Sequence, residues 1–209
     1  MRTTLAIFLL AALALAFAHG TVHYVGPSDE AVYLTLARDG GHLYDGAPYV
    51  IHPPAYPLAI RAAALFGLTY ERASMVVGIV ACAALVALLH RLVLAVSGSE
   101  LAALVAALGL ASSRVLAFTA QGAFREPVEV LLLWATLHAI VTAPEKPDRT
   151  RLALVSILGA LGALTFDPLG VAAPLFVVVG VLARRRAPGI AAALAGTLAW
   201  LVWALYRAH

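Results

Sequence analysis

Residues Ala73–Val96 read ASMVVGIVACAALVALLHRLVLAV and carry a single formal charge, Arg91. A helix that crosses the hydrocarbon of a bilayer needs about 20 predominantly apolar residues, and this stretch supplies them. Six further stretches of the same character surround it: Thr3–Ala18, Leu101–Thr119, Pro127–Ala143, Arg151–Phe166, Leu169–Ala183 and Pro188–Tyr206. The expectation is therefore an all-α integral membrane protein of about seven transmembrane helices, a single polytopic domain over residues 1–209. Nearly all connections are short. The exception is the first, residues 19–72, which predicts one long outer loop.

Composition agrees. The chain has 209 residues, 63% hydrophobic and 12% charged, with a mean hydropathy of +0.94. A soluble domain is about 45–50% apolar and about 25% charged, so a water-facing surface cannot be covered here. Disorder is excluded on the same ground. A disulfide scaffold is excluded too, because Cys82 is the only cysteine. The sequence pI is 9.3, but a net charge of +3 without a basic-aromatic groove gives no reason to expect nucleic acid.

The charges sort by side. With the N-terminus in the cytoplasm, Arg2, Arg91, Lys146, Arg149, Arg151 and Arg184–Arg186 face inward, as the positive-inside rule requires. Arg184–Arg186 then act as determinants of topology rather than as a lipid site. Most acids fall outside: Asp29, Glu30, Asp39, Asp45, Glu71, Glu126, Glu129 and Asp167. Acids contribute little to topology, so their bias points to polar chemistry on the outer face of a cytoplasmic or equivalent membrane. The first stretch has a second reading. Its short apolar run after Arg2 and the Ala16-Phe17-Ala18 triplet also fit a cleaved secretion signal, which would leave six spans.

Within the long loop, Pro27-Ser28-Asp29-Glu30 reads as a helix start, running to Arg38 and ended by Gly40-Gly41. Asp29 and Tyr33, four apart, share a face, and Glu30 is turned about 100° away. A second helix follows His52-Pro53-Pro54-Ala55-Tyr56-Pro57 and closes at Gly67; its apolar face fits a helix lying in the membrane interface. Acids at a helix start are stabilised by the dipole with no function required. The same field keeps a carboxylate ionised and ready to take a proton. Both readings stand at this point.

Four segments in order give the chain a resemblance. They are Ser28–Tyr33, His52–Pro57, Phe118–Pro127 (FTAQGAFREP) and Leu164–Gly170 followed by Pro174. The set resembles the GT-C superfamily of membrane glycosyltransferases, in the branch of protein O-mannosyltransferases and aminoarabinose transferases. The resemblance implies a GT-C-like core whose first outer loop carries two interfacial helices. It also implies sugar transfer, with inversion, from a polyprenyl-phosphate donor to an acceptor hydroxyl at the outer leaflet. On that basis Asp29, paired with Glu30, is the catalytic base, and Tyr33, His52, Arg114, Arg125 and Glu126 form the substrate-binding set. Glu126 matches an acid that in some relatives helps hold a divalent cation, so a cation requirement is left open and no metal ligands are assigned.

Two departures stand beside the resemblance. The turn at Phe166-Asp167-Pro168 lacks the basic residue the family often places there, and family members usually continue well beyond seven spans. A short member, a module that depends on a partner subunit, and the front part of a longer transferase all fit. The alternative from another class is a non-catalytic membrane scaffold. A transporter is disfavoured, because only His138 lies near the middle of a span. His19 and His23 are four apart and share the loop with His42 and His52, a conceivable zinc set, but no HExxH or cysteine-rich pattern supports it. Glu129, four residues after Arg125, fits a helical ion pair with it. Arg114 fits either a snorkelling side chain or a phosphate ligand. Gly78, Gly109, Gly159, Gly162 and Gly196 predict close helix packing.

Overall fold

The computed structural model describes residues 2–18, 29–39, 54–165 and 169–208, and every regular element among them is an α-helix. In order these are α1 (Arg2–Ala18), α2 (Asp29–Asp39), α3 (Ala55–Ala64), α4 (Tyr70–Ser97) and α5 (Glu100–Ala111). There follow α6 (Arg114–Gln121), α7 (Glu126–Val141), α8 (Arg149–Ala163), α9 (Leu169–Leu182) and α10 (Arg186–Ala208). The chain divides into two units, Met1–Pro48 with Tyr56–Leu131, and Tyr49–Ala55 with Leu132–His209.

The helix limits follow from local chemistry. α4 opens on Thr69, whose hydroxyl accepts the Arg72 N–H at 3.4 Å, with Glu71 in the first turn where the dipole favours an acid. It ends at Gly98, φ +65°, whose N–H donates to the Leu94 carbonyl at 2.9 Å. Only glycine takes that left-handed C-cap without strain. Ser99 at once caps α5, accepting the Ala102 N–H at 3.2 Å, and Asp148 caps α8 through the Arg151 N–H at 2.8 Å.

Among the described residues two helices, α4 and α10, are long and apolar enough to cross a membrane. With 28 residues, α4 is about 42 Å long at 1.5 Å per residue, enough to cross a hydrocarbon core of about 30 Å. The expected single span over Leu101–Thr119 is instead two helices, α5 and α6, bent by 55°. Taken as one crossing, the pair brings the count to three. The bend has a local cause. Ser112 Oγ donates to the Gly109 carbonyl at 3.1 Å, and Ser113 Oγ accepts the Leu116 N–H at 3.5 Å and so starts a new helix. Side chains that bond nearby backbone compete with the helical ladder. The other expected spans, α1, α7, α8 and α9, are 14 to 17 residues long among the described residues, shorter than the about 20 of a typical crossing.

In the first unit α4 is the central element, packed against α1, α2, α5 and α6. One core joins Ala11 and Leu15 of α1, Cys82, Ala83 and Val86 of α4, Ala107 of α5, and Leu116 and Ala120 of α6. Small residues let the axes close up. A Cβ at Gly78 would stand 2.8 Å from the Ala120 carbonyl oxygen. A second core, of Tyr33, Ala37, Tyr56, Ile60 and Ala73, ties α2 and α3 to the start of α4.

The second unit is built on α10, which packs against both α8 and α9. Its core holds Ala139, Ile140, Val155, Ala173, Phe176, Ala192 and Ala193. A Cβ at Gly159 would lie 2.5 Å from the Ala192 oxygen, and one at Gly196 would lie 3.1 Å from the Gly159 oxygen. Gly180 and Gly189 meet in the same way where α9 turns into α10. Of the glycines expected to allow close packing, Gly78, Gly159 and Gly196 do so. Gly109 faces open space.

Candidate functional site

Residues from three of the four segments that carry the resemblance meet in the first unit. α2 contributes Tyr33, the start of α3 contributes Tyr56, and the turn before α7 contributes Arg125. Tyr33 is 3% exposed and Tyr56 fully buried. Their rings form an edge-to-face pair with centroids 5.3 Å apart at 86°. That geometry sets the positive edge of one ring against the negative face of the other.

Arg125 stands over the Tyr33 ring, with Cζ 5.9 Å from the centroid, inside cation–π range. Its Nε lies 2.8 Å from Glu129 Oε1. The backbone explains why this pair forms. The Arg125 carbonyl accepts the N–H of Val128 at 2.9 Å and of Glu129 at 3.1 Å, so Arg125 sits at the mouth of α7 with Glu129 one turn above it. Both side chains are largely desolvated, at 17% and 10% exposed. The segment leading into the turn is itself packed inward, with Gln121 and Ala123 buried. The positive end of the α7 dipole adds to the Arg125 charge, and the Glu129 carboxylate offsets part of it. Both tyrosines are buried, so the polar surface this arrangement offers is the partly exposed Arg125 guanidinium, a group suited to a phosphate oxygen.

The expected site residues fall as follows. Asp29 and Glu30 open α2, one turn from Tyr33, and position 29 shares the Tyr33 face of that helix. Their side chains lie outside the described residues, as does His52. Glu126 is exposed in the first turn of α7. Arg114 is exposed as the first residue of α6, about 10 Å of helix from Gln121 at the other end. The structure thus gathers Tyr33 and Arg125 and sets Arg114 apart. It adds Tyr56, which lies inside the quoted HPPAYP segment, and Glu129, read from its spacing only as a pairing partner.

No group of three or more His, Cys, Asp or Glu able to hold a metal occurs among the described residues. Elsewhere in the unit, fully buried His90 of α4 places Nε2 3.2 Å from Glu100 Oε1 and ties α4 to the start of α5. At the surface of α2, Arg38 Nε lies 2.8 Å from Asp39 and holds that carboxyl below its ordinary range, mainly through their hydrogen bonds. Comparisons with protein-family models, curated proteins and solved structures gave no match.

Proposed function

We propose that the chain is a GT-C-like membrane glycosyltransferase that moves a sugar from a polyprenyl-phosphate donor to an acceptor hydroxyl. The observation that supports this reading is the meeting of Tyr33, Tyr56 and Arg125, drawn from three separate motif segments, around one buried cluster. In the proposed step the acceptor oxygen attacks the anomeric carbon from the face opposite the phosphate. The Asp29 carboxylate takes the hydroxyl proton. The bond from the anomeric carbon to the phosphate oxygen breaks, and the electron pair leaves with the polyprenyl phosphate. Arg125 stabilises the charge that develops there. The proposal includes the seven-span topology, with the N-terminus inside and the site facing outward.

A scaffold reading draws on one specific observation. Arg125 Nε already lies 2.8 Å from the Glu129 carboxyl, so its position is accounted for by an ion contact without a ligand. The test is sugar transfer from a polyprenyl-phosphate sugar by membranes carrying wild type or Asp29→Asn. Loss of at least about a hundredfold is expected for removal of a positioned base. Undiminished turnover removes Asp29 as the base. Absence of transfer by the wild type, together with a stoichiometric co-purified partner, favours the scaffold.

A further inference from the structure

We propose that the end of the second unit at which α8 and α10 begin binds the phosphate headgroup of an anionic membrane lipid. α8 and α10 run parallel. Along their shared axis Gly159 lies between Ala192 and Gly196, and a Cβ at Gly196 would also touch Ala163 at 3.9 Å. Gly159 is ten residues past Arg149, and Ala192 and Gly196 are six and ten residues past Arg186. At 1.5 Å per residue the two N-termini are therefore nearly level. Both dipoles point their positive ends the same way.

The turns before those helices bring charge to this end. Arg185 Nη1 lies 3.6 Å from Glu145 Oε1, so the α7–α8 turn meets the α9–α10 turn. Together the turns and first helical residues carry Lys146, Arg149, Arg151, Arg184, Arg185 and Arg186 against only Glu145 and Asp148. Asp148 is engaged as the α8 cap. All six bases except the half-buried Arg185 are exposed, and the buried Arg185 Nε has no hydrogen-bond partner. As a run in sequence, Arg184–Arg186 needs nothing beyond the positive-inside rule. The structure adds a second basic turn beside the first, with an arginine whose donors are only partly used.

What lies next to the charges selects a lipid over a soluble anion. Leu154 and Ile157 of α8, Val181 and Leu182 of α9, and Ile190 of α10 are exposed within about two turns of the basic residues. A cationic end running directly into bare apolar helix faces fits a molecule with a phosphate head and acyl chains.

The test uses the full chain in a neutral detergent, where topology no longer enters. Thermal unfolding is followed while phosphatidylglycerol, phosphatidylcholine or inorganic phosphate is added. Phosphatidylglycerol is expected to raise the unfolding temperature in a saturable way, and half a molar salt is expected to weaken the effect. Arg149→Gln/Arg185→Gln should move the phosphatidylglycerol midpoint up by about 25-fold, at about fivefold per basic residue. Arg184→Gln/Arg186→Gln leaves the Arg185–Glu145 contact in place and should shift the midpoint equally. Equal stabilisation by phosphatidylcholine, or an unmoved midpoint in the second variant, overturns the proposal. The same rise with inorganic phosphate overturns the lipid assignment.

Discussion

The two units bury different things. The first encloses tyrosines, a desolvated arginine–glutamate pair and His90 among its apolar residues. In the second, helices touch backbone to backbone through Gly159, Gly180, Gly189 and Gly196, and its bases stand at one end. Buried polar groups are costly unless satisfied, and close packing of small residues needs none of them. Among the described residues, the contrast puts the buried His90 and Glu129 in the first unit and the closest glycine-mediated helix packing in the second.

The sharpest way to break this contrast is Gly159→Leu. A Cβ there already meets the Ala192 backbone at 2.5 Å, so a leucine must drive α8 and α10 apart, at about 3 kcal/mol. A thermal unfolding temperature close to that of the wild type would show that the second unit is not held by this crossing. Next comes Glu129→Ala, expected to cost about 3 kcal/mol because it takes the carboxylate from a largely desolvated arginine. The double variant Arg125→Met/Glu129→Leu should recover most of that stability while abolishing transfer. Full recovery of both would make the pair a packing device. Removal of the α6 cap by Ser113→Ala is smaller, about 1 kcal/mol. If Ser113 sets the bend, its loss should also raise helicity across residues 111–114, measured by hydrogen exchange. Least of all is Gly109→Ala. With open space around it it should be neutral or stabilising by up to about 1 kcal/mol through helix propensity, and a clear loss would place an unseen neighbour there.

The parts of the molecule legible in sequence are those set by local chemistry. The arrest near Gly67 (φ +82°) and the Arg125–Glu129 pair follow from a left-handed glycine and the helical repeat, which act over one or two turns. What escaped reading depends on partners far along the chain. The apolar pattern runs unbroken through Ser112-Ser113, so it cannot report that two hydroxyls divert the backbone and bend the helix. A glycine in an apolar helix looks the same whether it meets another backbone, like Gly159, or nothing, like Gly109. Tyr56 lay inside a quoted motif, but its edge-to-face seat against Tyr33 comes from the packing of α2, α3 and α4.

The central claim is that Tyr33, Tyr56 and Arg125 mark a sugar-transfer site. The most direct measurement is the transfer rate from a polyprenyl-phosphate sugar by Arg125→Gln, alongside its thermal stability. The account predicts a fall of about a hundredfold or more, as for loss of a group that stabilises developing charge, well beyond any loss of folded protein. Transfer at the wild-type rate from a folded Arg125→Gln protein would contradict it.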